Sequence, residues 1–508
     1  MQRHIIPRIG PPAAIACFLI LAVSLTAQTF DAMKAQVREH TLSNGMKWIV
    51  LERKDAPVAS YHVYADVGSA NEVQGITGIS HLLEHLAFKG TKIVGTKDYE
   101  KEIVVLNRLD SLYDEITRTE NAIETDSVKI EVQKKQFEEL RLKSQEYVLV
   151  EEYDDMFIRE GDPEINAGTS SDATHYINSL PANRLEFWMS MTSDHFLNPV
   201  FREFYKERDV VIEERRLRIE TQPIYKLIED VLASAYKAHP YHNTVIGHMS
   251  DLKRITHRDV KDYFAKYYIP SNMVVAVVGN VNPEEVFRQA ELYFDRIPGG
   301  PKPEGPRTIE PEQWGERRVQ VVAQSQPILV MGYHRPGIRD KDNQAFDAMA
   351  NIIGQGRSSR LYRLLVKEKK IAIEVGSFNG WPGSKYPNLI AYIAIPSKDH
   401  TTAECFDVIN AEIEKLKTAS VTPDELTKYK RSTKKGLLDA MKANSSMASM
   451  LADAEVLEGG WRKAFDGLRQ VDAVRADDIQ RLAKKFLVST NRTVGELVPE
   501  TPEGKGKP

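Results

Sequence analysis

Two cysteines in 508 residues exclude a disulfide-stapled framework. Charge of one sign is also missing. Lys and Arg number 68 against 72 Asp and Glu, a net charge of -4, so no basic field marks a nucleic-acid binder and no acidic or polybasic tail is evident. Long hydrophobic runs are absent beyond the N-terminus. There, Arg3 and Arg8 precede an apolar stretch, residues 13–25, that ends on Leu25-Thr26-Ala27. It is shorter than the roughly 20 residues a membrane-spanning helix needs and has the anatomy of a secretory signal peptide, with a retained anchor as the alternative. Residues 1–27 are therefore expected to be removed on export, to the periplasm of a Gram-negative source or otherwise to secretion, with no stable membrane span afterwards. Cys17 falls inside that stretch, which leaves Cys405 as the one thiol of the mature chain. Core burial and any bound metal must then supply the stability. What is present, 42% hydrophobic and 28% charged residues, is the composition of a globular protein of two or more domains.

Proline and glycine are concentrated rather than spread. Residues 296–314 hold Pro298, Pro301, Pro303, Pro306 and Pro311 with Gly299, Gly300 and Gly305, which neither a helix nor a central strand tolerates. Residues 296–316 are expected to link an N-terminal half, 28–295, to a C-terminal half, 317–498, with 499–508 a disordered tail. The halves carry a repeat: THRDVKDYFAKYYIPSN (256–272) aligns without gaps on RADDIQRLAKKFLVSTN (475–491), so that Asp259 meets Asp478, Val260 meets Ile479, Tyr267 meets Phe486 and Asn272 meets Asn491. Each copy reads as an amphipathic helix, a polar turn and an apolar strand, and two related α+β halves follow. Within the first half, Leu109, Ile116, Ile123, Ile130 and Phe137 recur every seven residues. They predict a helical insertion over about 98–150, either one continuous helix or a hairpin turning near Glu124-Thr125-Asp126-Ser127, with the stripe used for packing.

The chemistry is concentrated in GITGISHLLEHLAFKGT (75–91). His81, Glu84 and His85 stand among Leu82, Leu83, Leu86 and Phe88, the pattern of a buried helix. Positions i and i+4 share a helical face, so His81 and His85 can bind one tetrahedral metal with Glu84 beside them, the H-x-x-E-H order. A third ligand is needed. A helix starting near Glu203 would present Phe204, Glu207, Val210, Val211, Glu214 and Leu217 on one side, with Glu213 and Glu220 pointing elsewhere. A carboxylate facing a core is costly unless paired or bound to metal, which marks Glu207 and Glu214; the plain alternative is neutralisation by Arg208, Arg215 or Arg218. Two His and one Glu leave a fourth zinc position for water, whose pKa falls toward roughly 7. Glu84 would take its proton and pass it to a leaving amine, which hydrolyses a peptide bond. His175, His195, His239, His242 and His248 lack such spacing, and GQGRSSR (354–360) lacks the Lys-Ser/Thr of a phosphate loop.

HLLEH, NAGTSSDATHY (166–176), ERDVVIEER (207–215), HPYHNTVIGHMSDL (239–252) and YYIPSNMVVAVVGNV together resemble the pitrilysin and insulinase family of H-x-x-E-H metallopeptidases, in particular its branch that includes mitochondrial processing peptidase. The likeness covers nearly all of the mature chain apart from the insertion. It implies two homologous α+β halves and a zinc endopeptidase that closes around extended peptides, with one Zn2+ per chain. By the same resemblance His81, His85 and Glu214 are zinc ligands, Glu84 is the general base, and Glu207 orients a ligand histidine. Asn166 and Ala167 match residues of an edge strand that pairs with substrate backbone.

One departure has functional weight. Family members that work as one polypeptide carry, in the second half, an Arg and a Tyr seven residues apart that stabilise the oxyanion. In LLVKEKKIAIEV those positions are Val366 and Ile373, which cannot donate a hydrogen bond, and Arg357, Arg360 and Tyr362 do not fit in spacing or register. The resemblance therefore implies a partner, a related exported subunit that supplies the pair, in addition to peptide substrates. The alternative is a non-catalytic structural or peptide-binding subunit of a larger complex, because the resembled family also includes such subunits.

Overall fold

The computed structural model describes residues 30–500. The expected signal peptide and residues 501–508 of the expected tail lie outside the described residues. Eleven strands are named here in chain order. β1 (Arg38–Thr41), β2 (Lys47–Glu52), β3 (Val58–Ala65), β4 (Asn166–Thr169), β5 (Thr174–Pro181) and β6 (Met273–Gly279) form one sheet in the order β1-β2-β6-β3-β5-β4. β7 (Arg317–Ala323), β8 (Ile328–Arg335), β9 (Ala372–Trp381), β10 (Asn388–Pro396) and β11 (Arg492–Pro499) form the second, in the order β7-β11-β8-β10-β9. Without β1 the two orders superpose position for position. In each, the last strand of the half runs parallel to the first and antiparallel to the next: β6 beside β2 and β3, β11 beside β7 and β8. The fold is α+β, two related halves each built on a mixed sheet.

The repeated sequence has a repeated hydrogen-bond plan. The helices His257–Tyr267 and Ala476–Phe486 are followed by the short turns Pro270–Asn272 and Ser489–Asn491. The aligned asparagines do the same work: Asn272 Nδ2 donates to Tyr267 O at 2.9 Å, and Asn491 Nδ2 to Phe486 O at 2.8 Å. Each fixes the corner between helix and strand by satisfying a carbonyl that the helix end leaves open.

β6, Met273-Val-Val-Ala-Val-Val-Gly279, is buried throughout because it is covered on both faces. One face packs under the helices Leu185–Leu197 and Pro283–Phe294, where Trp188 stacks on Tyr61 and Phe294 and Trp48 meets Trp188 and Phe294 edge-on. The other face is covered by a helix of the second half, Asn444–Asp453, which lays Met447, Ala448, Leu451 and Ala452 on Ile49, Leu51, Val274, Ala276 and Val278. The exchange is reciprocal. The helix Pro223–Ala235 of the first half sets Leu227 and Val231 on Ile328, Val330 and Leu497 of the second sheet. Gly495 permits this approach, since a Cβ there would collide with Val231 Cγ2.

No helix or strand forms between Phe294 and Arg317. The segment is nonetheless tied to the first half: Ser271 Oγ donates to Gly300 O at 2.7 Å, and Glu310 accepts from the backbone amides of Lys237, Ala238 and His239. Of the two forms open to the insertion, the chain takes the hairpin, with helices Tyr99–Glu120 and Ser127–Gln145. Leu109, Ile116 and Phe137 are buried, but Ile123, expected in the same stripe, is fully exposed. It falls in the turn between the helices, where the seven-residue rhythm has no facing helix.

Candidate metal centre

The helix Ile79–Ala87 starts at Gly78, whose φ of 90° lies in the left-handed region. A Cβ at this position would come within 2.5 Å of Ile246 O, so both the backbone conformation and the space call for glycine. Two acids secure the start. Buried Glu72 accepts from Gly78 N at 2.8 Å and Ser80 N at 2.9 Å, and Asp251 accepts from Gly75 N at 3.0 Å and Thr77 N at 3.2 Å. Glu72 thus satisfies amides that the helix N-terminus leaves open, and Asp251 holds the turn that leads into it. Burial outweighs the bonds and pushes the Glu72 carboxyl up to about 8. Leu82, Leu83 and Leu86 face the core, which turns the part-exposed His81, Glu84 and His85 toward a cleft.

The opposing helix, Phe204–Arg215, follows Glu203, itself held at a φ of 58°. Its buried stripe differs from the expected one. Phe204, Arg208, Val211 and Arg215 are inside, whereas Val210 and Leu217 are 44% and 64% exposed. Glu207 is buried with them, and Glu214 stands part-exposed at the rim of the stripe, where it opens on the cleft. Leu217 turns outward because Arg216–Glu220 is a π turn, whose wider winding brings Ile219 inward in its place. The two inner arginines are engaged elsewhere. Arg208 lies over the rings of Tyr113, Tyr205 and Phe204, and Arg215 donates to Glu229 at 2.8 Å. Arg218 does pair with Glu214, at 2.9 Å.

One ligand atom each from His81, His85 and Glu214 lies within 4.8 Å of the others, the single such cluster among the described residues. His81 Nε2 and His85 Nε2 stand 3.7 and 3.6 Å from the same oxygen, Glu214 Oε2. Two imidazole nitrogens converging on one carboxylate oxygen suit a zinc ion better than they suit each other, and this donor set is that of hydrolytic zinc sites. Behind the cluster, Glu207 Oε2 lies 3.5 Å from His85 Nδ1, and Glu207 Oε1 lies 2.8 Å from Lys89 Nζ. Burial opposes a charge on His85, but Glu207 and Glu214 outweigh it and raise the imidazole to about 9. For His81 burial prevails over the attraction of Glu214, and its pKa is lowered. Burial likewise works against the Glu207 carboxylate, yet its bonds with His85 and Lys89 hold it below the ordinary value. Glu84 faces the same cleft without an ion pair among the described residues.

The cleft measures about 800 Å³. β4 ends the first sheet and contributes Gly168 and Thr169 to the lining, with Asn166 and Ala167 farther along the strand. Asn166 Oδ1 accepts from Ala167 N at 2.8 Å. Val366 packs partly into the second core and Ile373 is 53% exposed on β9; neither lines the cleft. Arg360 is held by Glu412 and Glu425, at 2.8 and 2.7 Å.

Two family models match the chain: "Insulinase (Peptidase family M16)" over residues 48–108, and "Peptidase M16 inactive domain" over residues 254–433. The first spans both histidines, and the second begins at the end of the first half, before the helix His257–Tyr267, and runs through the proline-rich segment into the second half. Both models are of the M16 peptidase family, and the stretches they match fall in both halves of the chain. It is similar to the zinc protease PqqE of Helicobacter pylori, 29% identical over 94% of this chain and 96% of that one. It is also similar to a probable mitochondrial-processing peptidase subunit beta of Arabidopsis thaliana, 23% identical over 91% and 78%. Among solved structures, a protease from Helicobacter pylori superposes with a TM-score of 0.76 at 27% identity, covering 91% of this chain and 99% of that one. The first half of the periplasmic protease PqqL from Escherichia coli gives 0.66 at 15% identity, over 91% and 92%, a likeness of fold.

Several residues of the cleft went unmarked by sequence reasoning. Lys89 lies four residues past His85, and that spacing was available as a signal. Trp381 and Pro382 line the cleft from the second half, and Asp172 holds their loop by accepting from Ser384 N at 2.6 Å and Lys385 N at 3.0 Å. No local pattern connects these positions. Among the described residues, no helix is long and apolar enough to cross a membrane.

Proposed function

We propose that this chain is the zinc-bearing subunit of an exported, two-chain endopeptidase that cuts extended peptides or unfolded segments. The observation that carries the reading is the meeting of His81, His85 and Glu214 with Glu84 facing the same cleft. His81, His85 and Glu214 would hold one zinc ion, and Glu207 would orient His85 through Nδ1. Zinc, when bound, polarises a carbonyl and acidifies water. Glu84 accepts the proton released in the attack and returns it to the departing amine, a role open to a carboxylate that has no ion pair among the described residues. β4, at the edge of its sheet, offers backbone groups to an extended peptide, with Asn166 and Ala167 as pairing residues. Pairing at Ala167 displaces the Asn166 side chain from that amide.

Val366 and Ile373 carry no donor for the developing oxyanion, so a related second chain would supply it. The processing-peptidase subunit among the relatives supports this two-chain arrangement. Export rests on the character of residues 1–27, and it accords with the periplasmic location of PqqL, which shares the fold. The test is cleavage of a quenched peptide library by the purified chain, alone and mixed with each candidate companion that carries the Arg and Tyr but lacks H-x-x-E-H. Activity that appears only in a mixture is expected. Equal rates with and without every companion would refute the two-chain reading, and no cleavage by any mixture of zinc-loaded chains would favour a structural or peptide-binding role.

A further inference from the structure

The cleft has two chemically different parts. One holds the charged groups of the metal centre. The other is an apolar wall of Ile219, Tyr225, Ile228, Leu232, Trp381 and Pro382. The first residue of this wall lies in the π turn after Glu214, the next three come from the helix Pro223–Ala235, and the last two arrive from the second half, so the wall exists only when the halves are together. Trp381 is its keystone: it packs against the cluster around Leu232 and Tyr241 and also against the one around Leu227 and Val231.

The corner that carries Trp381 is fixed from the first half. Asp172, 5% exposed, accepts from Ser384 N, Lys385 N and the Tyr241 hydroxyl. Ser171 Oγ donates to Pro382 O at 3.3 Å, and Lys385 forms an ion pair with Asp66. A carboxylate buried with several donors is a rigid anchor, and its loss would leave those donors unpaired. Tyr225, by contrast, is 40% exposed, so the wall keeps apolar surface open to the cleft. Arg218, the one Lys or Arg that lines the cleft among the described residues, is already paired with Glu214.

The geometry points to Trp381 as a specificity-determining residue: with Tyr225 and Ile228 it forms a subsite beside the metal ligands that selects a large apolar side chain of the substrate, and Asp172 is the positioning residue that holds it there. This rests on the peptidase reading and adds the substrate class. A charged or small polar side chain on this wall would lose water without gaining a partner, while an aromatic or leucine side chain would bury its own surface and that of the indole. Apolar pockets of this kind discriminate by about 10- to 200-fold.

The test uses the full, zinc-loaded chain and amino-acid hydroxamates, whose head group takes the metal and whose side chain is Phe, Leu, Ser or Asp, with affinities measured by calorimetry. The Phe and Leu compounds are expected to bind at least about tenfold more tightly than the Ser and Asp compounds. Trp381→Ala should reduce that ratio below about threefold with zinc content unchanged, and Trp381→Phe should preserve it. Should Trp381→Ala fail to fold, Tyr225→Ala gives the same reading from the first half. Equal affinities in the unaltered chain, or a preference that survives both alanine variants, would overturn the subsite. Failure of every hydroxamate to bind the zinc-loaded chain would overturn the peptidase reading beneath it.

Discussion

Glu207 faces the outer nitrogen of His85: Oε2 lies 3.5 Å from Nδ1, on the far side of the ring from Glu214. An acceptor there fixes the tautomer, so that Nε2 keeps its lone pair for a metal. Glu207→Ala is expected to lower zinc affinity about 10- to 100-fold, measured by competition with a chromophoric chelator, while Glu214→Ala loses the ion. Zinc retained after both Glu214→Ala and His85→Ala would remove this site from consideration.

Glu84 separates binding from chemistry. Glu84→Gln keeps the shape of the side chain but cannot accept a proton, so it should hold zinc at the unaltered stoichiometry while cleavage by the assembled enzyme falls about 10²- to 10⁴-fold. Metal analysis beside a peptide assay checks both halves of the statement. Loss of zinc in this variant would make Glu84 a ligand instead.

The start of the ligand helix should be intolerant. Gly78→Ala puts a Cβ 2.5 Å from Ile246 O in a left-handed conformation, a strain of about 1–3 kcal/mol. Thermal unfolding is expected to occur at lower temperature, with weaker zinc binding because His81 and His85 move with the helix. An unchanged midpoint together with unchanged zinc affinity would contradict this account of the turn.

Acid should act on the second half through Glu425. Its bonds with Arg360 outweigh burial and lower its pKa from 4.5 to about 2. A carboxyl depressed in the folded state stabilises above its unfolded value and loses that contribution as pH falls through the folded one. The window is therefore pH 4.5 down to about 2. Glu425→Gln should flatten the dependence of the unfolding midpoint on pH within that window and lower the midpoint above it. Parallel curves for the two proteins would dismiss the pair as a source of acid sensitivity.

The parts legible in the sequence are those whose information is local or repeated. His81 and His85 are set on one helical face by their spacing, and the corner asparagines Asn272 and Asn491 reveal the repeat because each closes the same turn onto its strand. Legibility stops where geometry departs from an ideal helix or depends on distant chain. Leu217 was placed on the apolar face by a regular winding that the π turn breaks, and Ile123 by a rhythm that continues through a bend. Trp381 and Asp172 lie far apart in sequence and acquire meaning only when the halves pack. Glu207 and Glu214 fall between these cases: a carboxylate is costly in a core, and Glu207 is tolerated there because it meets Lys89 and His85, Glu214 because it opens on the cleft and pairs with Arg218.

The exchanged helices carry a consequence for the integrity of the chain. Severed at the proline-rich segment, the first half would lose the cover that Met447 and Leu451 give to Ile49 and Val274, and the second would lose Leu227 and Val231 from above Leu497. Each fragment would then expose a sheet face of aliphatic side chains to water, a template for aggregation. The stretch of chain that repeats is therefore shorter than the stretch that can stand alone.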